Sequence, residues 1–152
     1  MKIMAVDFGE ARTGLAVCDR TEFLASPVGT VHERDFETCV KKVAYAATKE
    51  LGVEMVVVGM PRNMNGSFGP RAELCDKFAR ALNALIPIPV VTWDERQSTM
   101  QAEAYLDEAN VHGAKRREVI DEVAATIILE SYLQYRKNQR ERERKAAEQQ
   151  DG

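Results

Sequence analysis

The order of apolar patterns along the chain predicts a single α/β domain: a mixed β-sheet of about five strands, a three-strand meander plus parallel strands, flanked by helices. Three observations carry this. Two short apolar runs, KIMAVDF (2–8) and TGLAVC (13–18), stand on either side of a glycine-containing turn, as paired strands do. The run VEMVVVG (53–59) is apolar at almost every position, as expected of a strand covered on both faces. Between and after such runs, apolar residues recur at helical spacing.

Taken in order, a third run near Pro27–Val31 completes the meander. Phe36, Val40, Val43, Ala44, Ala47 and Leu51 then mark a helix that Gly52 stops. After the buried strand 53–59 comes a turn-rich loop, PRNMNGSFGPR. Leu74, Phe78, Leu82 and Leu85 predict a second helix that starts at Pro70 and ends before Pro87. Residues 88–93, IPVVTW, read as another buried strand leading into Asp94, Glu95 and Arg96. Ser98 is placed to cap a helix through Ala102, Tyr105, Leu106 and Ala109. A basic loop from Gly113 to Arg117 precedes a last helix carrying Ile120, Val123, Ala124, Ile127, Ile128 and Leu133. The domain spans 1–135. Residues 136–152 form a charged tail, expected as a solvated helix extension or disordered chain, with six Lys/Arg against four Asp/Glu.

With 152 residues and 45% hydrophobic composition, the chain can bury one core. Cys18, Cys39 and Cys75 lie far apart with no CxxC pair, which suits a reducing compartment better than a disulfide framework or a zinc site. The opening MKIMAVDFGEARTG reaches an acidic, glycine-rich stretch too early for a secretory signal core, and no apolar run approaches the ~20 residues of a membrane span. A cytoplasmic protein with no membrane partner is expected. The net charge of −3 argues against loose binding to polyanions, so any nucleic-acid contact must use local basic clusters.

Three acidic positions then ask for an explanation. Asp7 sits among Ala5, Val6 and Phe8, at the end of a strand in the middle of the sheet, where an uncompensated charge costs several kcal/mol. Asp121 has Ala124, Ala125, Ile128 and Tyr132 at +3, +4, +7 and +11, which places it on the core-facing stripe of its helix. The two alanines are small enough to let that helix approach the sheet closely. Asp94 and Glu95 end a buried strand and alternate between its faces, so only one can readily join Asp7. Glu95 is assigned to the site and Asp94 to a supporting hydrogen bond, with the reverse assignment left open. Like charges a few ångströms apart require a cation, and Mg²⁺ or Mn²⁺ prefers oxygen ligands while leaving positions for water and phosphate. Two such ions ~3.5–4 Å apart suit phosphodiester cleavage.

In these blocks the sequence resembles a known family. VDFGEARTGLAVCD, VVVGMPRNMNGSFGPR, VVTWDERQST and IDEVAATIILESYL, in this order, are similar to the YqgF/RuvX proteins, over roughly residues 1–135. Those are RNase H-like domains described as Holliday-junction resolvases and as nucleases of the precursor of small-subunit (16S) ribosomal RNA. The resemblance implies an RNase H-like sheet and a metal-dependent nuclease whose acidic site falls on Asp7, the Asp94-Glu95-Arg96 segment and Asp121. With Glu95 chosen as above, Asp7, Glu95 and Asp121 are the expected catalytic residues and ligands of Mg²⁺ or Mn²⁺. It adds Gly9, Arg12 and Gly14 in the first turn, and Gly59, Pro61, Asn65, Gly66 and Ser67 beside the site. Gln97 stands where the family more often has leucine, a peripheral departure. The implied partner is nucleic acid, with precursor rRNA favoured over branched DNA, acted on by a monomer or weak homodimer.

Arg12, Arg62, Arg71 and Arg96 fall in or beside loops at strand ends, where guanidinium forks can clamp phosphate oxygens. Asn65, Gly66 and Ser67 offer backbone donors suited to phosphate, and Lys115, Arg116 and Arg117 form a further basic cluster. His32 and His112 lack the spacing of a zinc site and read as surface residues. Two other readings stay open. DFG-x-x-R-x-G also resembles the phosphate loop of actin-like ATPases and sugar kinases, although those folds close two such domains around the nucleotide. A non-catalytic RNA-binding assembly factor is the other.

Overall fold

The structure, a computed structural model, describes residues 1–61, 69–94 and 113–151. Five strands form one mixed sheet: β1 (Ile3–Asp7), β2 (Arg12–Cys18), β3 (Ala25–His32), β4 (Met55–Met60) and β5 (Val90–Asp94), in the order β3-β2-β1-β4-β5. The first three are the expected antiparallel meander, and β4 and β5 add in parallel beside β1. Pro27 lies in β3, an edge strand, where a missing backbone donor is tolerated.

Helix α1 (Phe36–Tyr45) starts at Asp35, whose carboxylate accepts from the Thr38 amide at 3.0 Å. A π-turn (Ala46–Glu50) continues it, and Gly52, at φ +60°, closes the run where the sequence places its stop. Helix α2 (Pro70–Leu85) ends because Ile86 precedes a proline and is extended, at φ −123° and ψ 149°. Helix α3 (Gly113–Asp151) is longer than its apolar stretch. Residues 113–117, expected as a loop, are its first turns, and the charged segment after Tyr135 continues it. Neither end shows apolar periodicity; Ala, Lys, Arg, Glu and Gln sustain the helix by propensity. The helix expected from Ser98 to Ala109 lies outside the described residues.

Alternation along the strands sorts side chains into two cores. Met4, Val6, Phe8, Val56, Val58 and Met60 face α1 and α2. Ile3, Ala5, Ala16, Cys18 and Val57 face α3, which lays Ala125, Ile128, Leu129, Tyr132 and Leu133 upon them. The sheet is thus covered on both sides and the C-terminal end of β1 lies between layers. The three cysteines are buried, and none is in a disulfide. Among the described residues, no helix is long and apolar enough to cross a membrane.

Candidate active site

Asp7 ends β1 on the face of Ile3 and Ala5, toward α3. Its direction is fixed by the next residue: the Phe8 ring stacks on Phe78 at 4.5 Å and meets Phe36 edge-on at 5.9 Å, anchoring the strand end to α2 and α1. Across the ladder, Asp7 pairs with Gly14 of β2. A side chain at Gly14 has no room, because a Cβ there would stand 2.1 Å from the Asp121 backbone carbonyl. Glycine therefore lets α3 touch the sheet, with Ala124 and Ala125 fully buried in the contact. That close approach carries Asp121 to Asp7.

The β1–β2 turn supports this arrangement without using Asp7. A Cβ at Gly9 would lie 2.2 Å from the Arg12 carbonyl oxygen, so the turn closes only on glycine. Thr13, fully buried, places its Oγ1 within 3.4 Å of both the Gly9 amide and the Gly9 carbonyl, and 3.5 Å from Cys39 Sγ. Sequence reasoning passed over Thr13, since a threonine inside an apolar strand carries no signal until its partners are known. No donor among the described residues hydrogen-bonds the Asp7 carboxylate. A structural acceptor for the turn is thus supplied by Thr13, and Asp7 is left with charges alone: Arg71, and the carboxylate of Asp121.

The electrostatics follow. Burial pushes the Asp7 carboxyl up to about 6 from its ordinary 3.8; Arg71 opposes the shift and Asp121 adds to it. Arg71, at the start of α2, donates from Nη2 to the Phe8 carbonyl at 3.2 Å, which holds its charge beside the strand end. Arg12 donates from Nε to Asp121 Oδ2 at 2.9 Å. The site therefore holds two acids and two guanidinium groups, drawn from β1, β2, α2 and α3.

Asp94 closes β5 opposite Met60. Trp93 packs toward α3, its Nε1 donating to Ser131 Oγ at 3.0 Å and its ring 5.3 Å from Tyr132. Alternation thus turns Asp94 to the other face, with Val90, away from the face of Asp7. Glu95, Arg62, Asn65, Gly66, Ser67 and Arg96 lie outside the described residues. Among the described residues no three His, Cys, Asp or Glu side chains converge as a metal cluster.

Fold and site together define a class: an RNase H-like α/β sheet with one carboxylate at the end of its central strand and another on the helix packed against it. Solved structures share the fold. The T. thermophilus RuvC in complex with Holliday junction substrate superposes with a TM-score of 0.56 at 12% identity, covering 91% of this chain and 96% of that one. The Fowlpox virus resolvase bound to substrate Holliday junction DNA gives 0.53 at 14%, covering 89% and 98%. The chain belongs to the family described as "RuvX: Holliday junction resolvase", whose model matches residues 1–135. Relatives named "Putative pre-16S rRNA nuclease" include one from Caldanaerobacter subterraneus subsp. tengcongensis, 43% identical over 139 residues, covering 91% of this chain and 99% of the relative. Another, from Listeria monocytogenes, is 45% identical over 137 residues, covering 88% and 97%.

Proposed function

We propose that the protein is a divalent-metal-dependent nuclease, acting in the cytoplasm as a monomer or weak homodimer on the precursor of 16S rRNA. The observation that carries this reading is the Asp7 carboxylate: partly buried beside Asp121, given no hydrogen-bond donor by the described residues, and made reluctant to ionise by its surroundings. A carboxylate with a structural task would have its donors. Oxygen-only ligands beside a carboxylate that no described donor satisfies fit Mg²⁺ or Mn²⁺. Asp7 and Asp121 would hold the metal, with Glu95 as the third ligand inferred from sequence and Asp94 in support. When bound, the metal supplies a water activated for attack and a stabilised leaving oxygen.

The chain's own residues do the rest. Gly14 and the buried alanines set the spacing of the two acids. Arg71 and Arg12 lie beside them as phosphate-binding groups, joined by Arg62, Arg96, Asn65, Gly66 and Ser67 on the sequence argument. A branched-DNA resolvase is favoured by the family's own description, and the same acids would serve it. The test is cleavage of a 16S precursor fragment and a four-way junction by purified protein, in Mg²⁺, Mn²⁺ or excess EDTA. We expect metal-dependent cutting of the RNA, and a loss exceeding about 100-fold in Asp121→Asn, the loss already typical of groups that only support metal ligands. Undiminished cleavage in EDTA would overturn the metal site. Cutting confined to the junction would move the substrate to DNA, and tight RNA binding with no cutting at all would make the protein an assembly factor.

A further inference from the structure

We propose that Arg34 and His32, on a cleft that Arg12 links to the acidic pair, bind a phosphate of the substrate strand flanking the one that is cut. The inference rests on the nuclease reading and adds to it a direction for the bound strand. Arg12 and His32 are partners in the β2–β3 ladder, so their side chains share the α3 face, one strand spacing apart. Arg12 reaches inward to Asp121, and His32 stands on its outer side, exposed at the sheet edge. The ladder runs on by a bond from the Glu33 amide to the Ala11 carbonyl at 3.2 Å, which fixes where Arg34 follows.

Ala11, Arg12, His32, Glu33 and Arg34 together line an open cleft of about 430 Å³. The acid in its lining is already committed: Glu33 accepts from Lys42 Nζ at 2.9 Å and from the Asp35 amide at 3.2 Å, while Asp35, next in sequence to Arg34, caps α1 through Thr38. Arg12 spends Nε on Asp121 and faces the cleft with the remainder of a five-donor guanidinium. A polyanionic strand leaving the acids across β2 and β3 therefore meets Arg12, then His32 and Arg34. Guanidinium and imidazole N–H groups are the donors that phosphate oxygens take.

The experiment compares Arg34→Ala and His32→Gln with the parent and with Arg80→Ala, all carrying Asp7→Asn so that the strand is not cut. Both test positions are exposed, and melting curves confirm that the variants fold. Arg80 is an exposed cation on α2, paired with Asp76. Binding of a 16S precursor fragment is measured over a range of salt. Arg34→Ala and His32→Gln should each weaken binding several-fold, and Arg34→Ala should lower the salt slope by roughly one. Shortening the strand on one side of the cleavage point should erase the difference from the parent, whereas shortening the other side should preserve it. Unchanged affinity and slope in both variants, or an equal loss in Arg80→Ala, would overturn this inference while leaving the nuclease reading intact. Failure of the parent to bind nucleic acid would overturn both.

Discussion

Two carboxylates meet α3, one at each end of its contact with the sheet, and their surroundings treat them oppositely. Asp7 is partly buried with a second acid for company, and its carboxyl is pushed up to about 6. Glu22, in the β2–β3 hairpin, is partly buried too, yet Arg136 donates to it at 2.6 Å, Arg140 at 3.2 Å and the Met1 amine at 3.2 Å. Burial alone would raise Glu22; these hydrogen bonds outweigh it and hold the group at about 2. Glu22 even accepts a left-handed backbone, φ 60°, at a cost of about 1–2 kcal/mol, to bring its oxygens to α3. The difference teaches how to read a buried acid: one that is fully answered fastens the fold, and one left unanswered is kept for something that arrives later.

The contrast can be broken most severely from the sheet side. Replacing Gly14 with Ala would put a Cβ against the Asp121 carbonyl, so α3 must lift at the Asp7 end. We expect a loss at or above the top of the ~1–3 kcal/mol range for overpacking, with cleavage abolished even at temperatures where denaturant curves show the variant folded. Normal stability and rate would mean that the contact is looser than it looks.

Removing the charge of Asp7 sharpens the comparison in the opposite direction. A carboxyl raised by folding destabilises the native state as pH climbs from about 4 through about 6, because only the folded chain must hold the unwanted charge. Asp7→Asn in EDTA should therefore gain about 1–3 kcal/mol at pH 7, little at pH 4, and lose activity. A melt series across that interval checks the sign; a variant destabilised at pH 7 would make Asp7 a structural acceptor after all.

Glu22→Gln should show the smallest change and the reverse pH behaviour. A carboxyl lowered by folding contributes stability above its ordinary 4.5, lost as pH falls toward 2. The expected cost at pH 7 is about 1–2 kcal/mol, discounted for screening because Arg140 is half exposed. Activity of the folded variant should be untouched, and its stability deficit should vanish by pH 2.

Asp7 and Asp121 were legible in the sequence because each breaks an apolar pattern whose period was already known. Gly14 and the alanines at 124 and 125 were legible as small residues, although only the structure shows Gly14 against the Asp121 backbone and the alanines buried. Glu22 was not. Its surroundings, Thr21 to Leu24, read as an ordinary surface turn, and Arg136 lies 114 positions away inside a tail that composition makes look solvated. The start of α3 escaped for a related reason: apolar spacing reports where a helix is covered, and residues 113–117, expected as a loop, carry none of it. Asp94 shows the limit of alternation, which names the face each residue takes but cannot name the face a loop will use.

The ion pair between Arg12 and Asp121 joins positions 109 residues apart, and it forms only when α3 lies in the groove that Gly14 keeps open. A chain still emerging from the ribosome would have its first strand, its turn and its central sheet, yet not the Asp121 carboxylate until the last quarter was made. The proposed nuclease is therefore assembled inert. It gains the means to cut ribosomal RNA only after most of the chain has been translated, so the order of synthesis itself separates the making of the enzyme from its use.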